Sequence, residues 1–411
     1  MLQKPRGTRD FLPAEMAQRR HIERRMRTIA QSFGYGEIQT PMFEEQELFT
    51  LKSGEGIIGE MYAFEDKGGR KIALRPEVTA AVVRAYVNEA QVAPKPLRWY
   101  YFAECFRYER PQKGRYRQFW QFGCELIGAD SAAADAEVIA LAYELLKSSG
   151  VRFVLKIGHL APMKHMLRDL DAGEQKKVMA ALDKRDMDLL KTTLDAIGHP
   201  DLYDPLTTLI TAETLDQVWQ VTGDIPEKSR IEETFRYLTA QNIPFVQNFG
   251  IARGLDYYTG MVFEGFADNL GAENQILGGG VYRLAHLFGG KDVPSCGFAI
   301  GFDRVMVSLG EITPDAAPVV AVVATPQTRT AAYTAAAAFR SAGITVVMDV
   351  MDRSFGAQIS SALKSGAAYA ALIGEKEAAA GTVTLKNLEQ AAQQEMSLAD
   401  AVAEVAGHGT C

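Results

Sequence analysis

The 411-residue sequence is poor in the features that define several protein classes. It has only four cysteines, and none of them forms the Cys-x-x-Cys spacing of zinc or redox sites. They are Cys105, Cys124, Cys296 and Cys411. The longest apolar run, near residues 316–324, is far shorter than the roughly 20 residues of a membrane-spanning helix, and residues 1–13 lack the apolar core of a signal peptide. We therefore expect a soluble cytoplasmic protein with buried or idle thiols, without a disulfide framework or a zinc site.

The sequence also lacks an excess of positive charge. Its 44 Lys and Arg against 51 Asp and Glu give a formal net charge of −7. That balance argues against a protein that coats nucleic acid non-specifically, although it allows local basic patches. With 47% hydrophobic residues, a chain of this length is too long for one ordinary core, so two or three domains are expected.

What the sequence does contain is a segment with two strand-like halves, residues 102–128. Alternating aromatic and polar residues flank a stretch with Pro111 and Gly114, which predicts two strands joined by a loop. Because alternate strand residues share a face, one face is predicted to be polar and the other apolar. The polar face holds Cys105, Arg107, Glu109, Phe119, Gln121, Gly123 and Glu125. This face is either the floor of a pocket or the water-exposed side of a hairpin.

The predicted loop is strongly basic. Arg110, Lys113, Arg115 and Arg117 fall within eight residues, with Tyr116 among them. Such a density of positive charge suits contacts with phosphate, and an aromatic ring beside it can stack on a base. The loop therefore favours the pocket interpretation.

Upstream, residues 13–33 are predicted to form a helix, with Pro13 in its first turn and Gly34 as its stop. Its polar face carries a run of arginines that we expect to be solvated. These are Arg19, Arg20, Arg24, Arg25 and Arg27.

A short extended piece follows at residues 35–41. Two strands, MYAFED and KIALRPE, then lead to a helix over about residues 78–87, whose entrance holds Glu77 and Thr79; the simplest role of both is to cap that helix.

Downstream, a helix is predicted over residues 135–148 and a strand in VRFVLKIGH. From about residue 160 to 241, leucines at helical spacing predict a mostly helical insertion. After it come ARGLDYYTGMVFEGF, a strand with three consecutive glycines at 278–280, and PSCGFAIGFDRVMVSL, a strand that enters a helix with Arg304 at its start. Beyond the linker TPDAAP, apolar runs alternate with alanine-rich helical stretches, which predicts a small α/β domain.

The basic hairpin carries a specific resemblance. FRYERPQKGRYRQF resembles motif 2 of the class II aminoacyl-tRNA synthetases, in the form typical of the histidyl-tRNA synthetase family. LRPEVTAAVVR, ARGLDYYTG and GFAIGFDR resemble further family motifs and occur in the family's order. The resemblance implies an α/β fold with an α+β catalytic domain, whose antiparallel sheet is flanked by helices. It divides the chain into catalytic residues 1–160 and 243–314, a helical insertion at 161–242, and an anticodon-binding domain at 318–411.

The resemblance also implies an ATP-dependent histidine–tRNA ligase and assigns roles to residues. The catalytic pair is Arg253 and Arg107. Histidine-binding residues are Glu77, Thr79, Arg107, Gln121, Glu125, Arg253, Tyr257 and Tyr258, and ATP-binding residues are Arg107, Glu109, Phe119 and Arg304. Gln112, Lys113 and Arg115 are expected at the tRNA acceptor end. Mg²⁺ accompanies the nucleotide without assigned ligands, the partner is tRNA(His) rather than DNA or a membrane, and the expected assembly is a homodimer.

Two other functions fit part of the sequence. One is a catalytically silent paralogue that only binds histidine, such as the regulatory subunit of ATP phosphoribosyltransferase; such paralogues lack the C-terminal domain, which is present here. The other is a general RNA-binding protein, which leaves ARGLDYYTG unexplained. Many bacterial relatives follow the three glycines with arginine, tyrosine and aspartate, whereas Val281, Tyr282 and Arg283 stand here. No site residue is therefore assigned at those three positions.

Overall fold

The computed structural model describes residues 2–110, 112, 114–184, 186–250, 257–270, 274–314 and 319–407. The chain forms two compact units, Met1–Thr313 and Pro314–Cys411. Each unit has its own sheet and its own hydrophobic core. None of the helices in these described ranges is long and apolar enough to cross a membrane.

The first unit alternates helices and strands along the described chain. Its helices are α1 (Pro13–Ser32), α2 (Gln46–Ser53), α3 (Thr79–Ala85), α4 (Ala132–Ser149), α5 (Leu160–Met166), α6 (Ala172–Lys184), α7 (Met187–Ile197), α8 (Tyr203–Thr211), α9 (Leu215–Thr222), α10 (Lys228–Ala240) and α11 (Phe302–Leu309). Its strands are β1 (Gly36–Glu37), β2 (Phe43–Glu45), β3 (Tyr62–Glu65), β4 (Lys71–Leu74), β5 (Leu97–Phe106), β6 (Gln118–Ile127), β7 (Val154–His159), β8 (Val246–Gln247), β9 (Tyr258–Phe266), β10 (Gln275–Tyr282) and β11 (Ser295–Gly301).

An eight-stranded sheet organises this unit, in the order β1-β5-β6-β11-β10-β9-β7-β8. All its neighbours pair antiparallel except the two edge pairs, β1 with β5 and β7 with β8. Helices α1 and α4 pack on the sheet and share its core, with Ile22, Met26 and Leu145 at 1% exposure or less. The predicted antiparallel sheet flanked by helices is confirmed.

Helix α4 shows why the sequence folds locally as it does. The Ser131 hydroxyl accepts a hydrogen bond from the Ala134 N–H at the first turn, and Gly150 ends the helix in a left-handed conformation. Between these ends, twelve of the eighteen residues are buried. A helix apolar on most of its surface must lie inside the unit, which fixes α4 behind the central strands.

Two predicted elements differ from those observed. The first strand of the hairpin ends at Phe106, so Arg107 and Glu109 lie beyond it rather than within it. The Arg107 N–H still donates to the Arg117 carbonyl at 3.0 Å, which keeps the two sides of the loop together. The helix predicted to reach residue 87 ends as α3 at Ala85 and continues as a π-helical turn over Tyr86–Ala90.

The described residues between β7 and β8 form helices α5 to α10, as the spacing of their leucines predicts. Buried leucines of these helices, such as Leu190 and Leu206, belong to the same apolar cluster as the central sheet. A smaller sheet, ordered β2-β4-β3, lies in the chain between α1 and α3.

The second unit is a small α/β fold. Its strands are β12 (Val319–Ala324), β13 (Thr345–Met348), β14 (Tyr369–Ile373), β15 (Thr382–Asn387) and β16 (Gln393–Ser397), and its helices are α12 (Arg329–Ser341), α13 (Phe355–Lys364), α14 (Glu375–Ala380) and α15 (Leu398–Gly407). The sheet order is β13-β12-β14-β15-β16, with β12 parallel to both of its neighbours. Neither β16 nor α15 was predicted. Strand β16 is mostly polar and exposed, so it lacks the apolar run that indicates a strand.

Candidate active site

A cavity of about 490 Å³ opens on one face of the eight-stranded sheet. Its walls come from α2, the start of α3, strands β6, β9, β10 and β11, and the start of α11. Ten of the predicted site residues line it, namely Glu77, Thr79, Arg107, Glu109, Arg115, Phe119, Gln121, Tyr257, Tyr258 and Arg304. Segments far apart in the sequence therefore converge on one cavity.

Four predicted site residues stand apart from that set. Glu125 is fully buried and is not among the lining residues. Gln112 is exposed, in a tight turn where its backbone exchanges hydrogen bonds with Arg115 and Gly114 takes a positive φ of 76°. Arg253 and Lys113 lie outside the described residues.

Glu77 lies at the start of α3 and has two partners. Its Oε1 accepts from the Ala80 N–H at 3.2 Å, the capping contact that the sequence predicts. Its Oε2 is 3.1 Å from Nζ of Lys52, whose side chain is only 7% exposed. Burial is the largest single influence on the pKa of Lys52 and lowers it. The charge and hydrogen bond of Glu77, with Tyr257 and Glu125 nearby, together outweigh burial and raise this pKa. The end of the cavity at Glu77 thus holds an acidic side chain beside a buried lysine.

Glu125 lies under the same end of the cavity, with its carboxylate enclosed by hydroxyl groups. The Tyr282 hydroxyl donates to its Oε2 at 2.6 Å, and the Tyr101 hydroxyl lies 3.4 Å from its Oε1. Burial raises the pKa of Glu125 to about 7, although hydrogen bonds from Tyr282 and Thr79 work against that rise. Close to neutral pH this carboxyl can either accept or donate a hydrogen bond.

A glycine makes room for that buried carboxylate. Gly297 of β11 pairs with Glu125 of β6, and a Cβ atom at Gly297 would lie 1.7 Å from Oε2 of Glu125. Only glycine allows the acid to lie flat against the neighbouring strand.

Another part of the cavity lining is formed by arginines and an aromatic ring. Nε of Arg107 donates to the Pro76 carbonyl at 2.9 Å, and its guanidinium carbon is 5.2 Å from the centre of the Phe119 ring. Glu109 lies between two cations, 3.7 Å from an Nη1 atom of both Arg107 and Arg115. These contacts hold Arg107 in place while its side chain stays 35% exposed towards the cavity.

At the start of α11, neighbouring residues of opposite charge have different partners. Arg304 donates to the carbonyl groups of Gln275 and Gly114. The Asp303 carboxylate is 2% exposed and binds Arg9, Arg19 and the Trp120 N–H. The expectation that Arg19 is solvated is therefore wrong; it is 4% exposed.

The sequence interpretation missed three residues of this site: Lys52, Tyr101 and Tyr282. Tyr282 occupies one of the positions where no assignment was made, yet the strand alternation of β10 turns it towards Glu125. Lys52 gave no signal, because a single lysine near the end of a short helix is ordinarily solvated. Among the described residues, no group of three or more His, Cys, Asp or Glu is arranged to hold a metal ion.

Comparisons with known proteins agree with this architecture. A family model described as "Histidyl-tRNA synthetase" matches residues 7–305, and one described as "Anticodon binding domain" matches residues 318–408. The chain is 78% identical to the histidine–tRNA ligase of Methanocorpusculum labreanum and 65% identical to that of Methanoculleus marisnigri, over the full length of every chain. It is also similar to the solved apo histidyl-tRNA synthetase of S. aureus, with a TM-score of 0.74 and 28% identity over 98% of this chain and 100% of that one.

Proposed function

Because the chain belongs to the histidyl-tRNA synthetase family, we propose that this cavity is where it activates L-histidine with ATP and transfers the histidine to tRNA. The chain is an ATP-dependent histidine–tRNA ligase of class II. One observation supports this proposal most directly: nine residues expected to bind histidine or ATP line a single cavity, together with Arg115, which is expected at the tRNA acceptor end.

Histidine binds at the end that holds Glu77. The Glu77 carboxylate, the Thr79 hydroxyl and the Gln121 amide hold its α-amino group, since a buried ammonium needs anionic and polar partners. Tyr258 lines the cavity beside them. Glu125 lies below and supplies a polar partner for a nitrogen of the histidine imidazole. A competing amino acid with an apolar side chain of similar shape cannot use that partner. Tyr257, whose ring centre is 4.2 Å from that of Tyr258, completes the aromatic wall.

ATP binds at the end that holds Arg107. The adenine ring stacks on Phe119, with Arg304 on its other face, and its amino group donates to Glu109. Arg107 and Arg253 grip the histidine carboxylate and the α-phosphate together. The two arginines bring an oxygen of the histidine carboxylate in line with the α-phosphorus and stabilise the negative charge that builds there. The new O–P bond gives histidyl-adenylate as pyrophosphate leaves, and no side-chain nucleophile is needed.

Magnesium accompanies the nucleotide. Mg²⁺ is usually bound by one or two carboxylates together with phosphates and water, and Glu264 lines the cavity with its Oε1 3.0 Å from Nε2 of Gln275. This donor set fits an ion that arrives with ATP rather than a permanent protein cage. Bound there, the ion would neutralise phosphate charge, while Glu264 and Gln275 keep its side of the cavity polar.

The tRNA reaches both units. Gln112, Lys113 and Arg115 guide its 3′ end, whose terminal hydroxyl attacks the adenylate carbonyl and releases AMP. The second unit recognises the anticodon, in keeping with the family model that it matches. As the family resemblance implies, the enzyme is a homodimer, and its place of action is the cytoplasm. Sedimentation of the purified protein as a monomer would overturn the dimer.

Exchange of pyrophosphate into ATP tests the function. The purified protein with Mg²⁺ and ATP should catalyse this exchange only when histidine is added, and should then charge tRNA(His). Binding of histidine without exchange would instead identify a regulatory paralogue, and RNA binding without either activity would identify a general RNA-binding protein.

A further inference from the structure

A short segment before α1, residues 7–11, contacts the basic loop of the hairpin; we call it the N-terminal latch. The guanidinium carbon of Arg9 is 3.6 Å from the centre of the Tyr116 ring and 4.7 Å from that of Phe11. Tyr116 lines the cavity of the proposed active site. A planar guanidinium at such a distance stacks on the ring, so Arg9 fixes where the Tyr116 side chain lies.

The backbone of the latch makes a second contact with the same loop. The Arg117 N–H donates to the Gly7 carbonyl at 2.9 Å, while the Arg117 carbonyl accepts from the Arg107 N–H at 3.0 Å. Gly7, Arg117 and Arg107 are therefore joined in series by backbone hydrogen bonds. A displacement of the latch would move the segment after β5 that carries Arg107.

The guanidinium of Arg9 that stacks on Tyr116 also pairs with a buried carboxylate. Asp303 pairs with Arg9, accepts from Nη1 of Arg19 at 2.8 Å, and accepts from the Trp120 N–H at 2.7 Å. Arg19 is itself enclosed by rings, with its guanidinium carbon 4.2 Å from the centre of Phe11. Because a buried charge left without its partner is costly, these contacts hold one another in place.

The position of Asp303 gives this arrangement a function. The proposed adenine contacts are Phe119 and Arg304. Trp120 immediately follows Phe119, and Asp303 immediately precedes Arg304. The hydrogen bond from the Trp120 N–H to the Asp303 carboxylate therefore joins the neighbours of both contacts. Arg9 links that carboxylate to Tyr116 of the loop. The segment thus connects the loop, the adenine wall and the start of α11.

We propose that the N-terminal latch positions the loop of residues 107–117 for the nucleotide, with Arg9 as its positioning residue. The proposal rests on the function proposed above, since that function places ATP at this end of the cavity. Arg107 is expected to bind both substrates, whereas Trp120 and Asp303 adjoin the proposed adenine contacts Phe119 and Arg304. Loss of the latch should therefore weaken the use of ATP more than the binding of histidine.

Arg9→Met tests the proposal, because it keeps an unbranched side chain of similar reach and removes the planar cation. Arg6→Met is the matched control, since Arg6 is exposed three residues earlier. In histidine-dependent pyrophosphate exchange, Arg9→Met should raise the KM for ATP tenfold or more, and Arg9→Lys, which keeps the charge, should recover part of the loss. The dissociation constant of histidine, measured by equilibrium dialysis without ATP, should rise by a clearly smaller factor than the KM for ATP.

A second measurement needs no activity. The loop contains trypsin sites after Lys113, Arg115 and Arg117, and mass spectrometry can score cleavage at these three bonds alone. Arg9→Met should be cut there at least five times faster than the wild type, whereas Arg6→Met should match the wild type. Melting curves of all variants identify any that are unfolded globally. If Arg9→Met is unfolded, the cleavage rate of Arg9→Lys is compared with the wild type instead.

The outcomes separate the two proposals. A wild-type protein without histidine-dependent exchange defeats the proposed function, and the cleavage rates still decide whether the latch holds the loop. Unchanged cleavage in Arg9→Met overturns the latch, as does an equal loss of affinity for histidine and ATP, which would mark Arg9 as a general structural residue.

Discussion

The Tyr282 hydroxyl donates to Oε2 of Glu125 over 2.6 Å, at the bottom of the end of the cavity where we place histidine. Strand β11 lies between the strands that carry these two residues, and Gly297 of that strand leaves the space in which they meet. A carboxyl held in this way has its protonation set by burial and by neighbouring hydroxyls. Its protonation should therefore influence both stability and substrate binding.

The stability of the wild type should fall with rising pH because of Glu125. Its pKa is about 7 in the folded protein against 4.5 for an ordinary glutamate, so the folded state holds this proton more strongly. The resulting stabilisation is complete below pH 4.5 and is lost as the pH rises through 7. Relative to Glu125→Gln, the wild type should lose on the order of 3 kcal/mol across this window. Urea unfolding at pH 5 and pH 8 measures the difference.

The exposed Glu89 provides the control for that experiment. Glu89→Gln should give a stability profile parallel to that of the wild type. If Glu125→Gln also ran parallel to the wild type between pH 5 and pH 8, Glu125 would titrate as an ordinary surface acid.

Tyr282→Phe should affect histidine more than ATP. The substitution removes a hydrogen bond that favours the Glu125 carboxylate, so the pKa of Glu125 rises further and less of the anion is present at pH 7. We expect the KM for histidine to rise about tenfold, equivalent to one hydrogen bond to a charged group, and the KM for ATP to change less than twofold. Steady-state pyrophosphate exchange measures both constants.

Tyr35→Phe is the matched control for that variant. Tyr35 is also buried and donates to a carboxylate, Glu137, at 3.2 Å, outside the residues that line the cavity. It should leave both KM values unchanged. Equal rises in both constants for Tyr282→Phe would separate this tyrosine from histidine recognition.

Lys52 and Glu77 should depend on each other for stability. Their side chains are 7% and 17% exposed, so either substitution alone leaves a largely buried charge without its partner. Glu77→Gln or Lys52→Met should each lower the free energy of unfolding by about 3 kcal/mol. The double variant should cost clearly less than the sum, with a coupling of at least about 1 kcal/mol. Denaturant titration of the four proteins gives this coupling, and strictly additive losses would contradict the pairing.

The sequence predicted elements whose pattern is local and missed contacts that depend on distant segments. Alternation placed Gln121 and Glu125 on one face of β6, and the structure has them there. Alternation says nothing of depth, so the burial of Glu125 against Gly297 was not foreseen. Arg19 belongs to a run that is normally solvated, but Asp303, 284 residues later, draws it inside.

Arg253 is the site residue on which activation should depend most, although it lies outside the described residues. The guanidinium of Arg253 is always charged, and we expect it to contact the histidine carboxylate and the α-phosphate together. Such contacts stabilise the transition state more than the bound substrates. Arg253→Ala should therefore slow histidine-dependent pyrophosphate exchange at saturating substrates by about 100-fold or more. Arg253→Lys keeps a charge but loses the fork and should recover only part of that rate. Arg236→Ala, on the exposed surface of α10, is the control, and a rate for Arg253→Ala within a few-fold of that control would remove Arg253 from the mechanism.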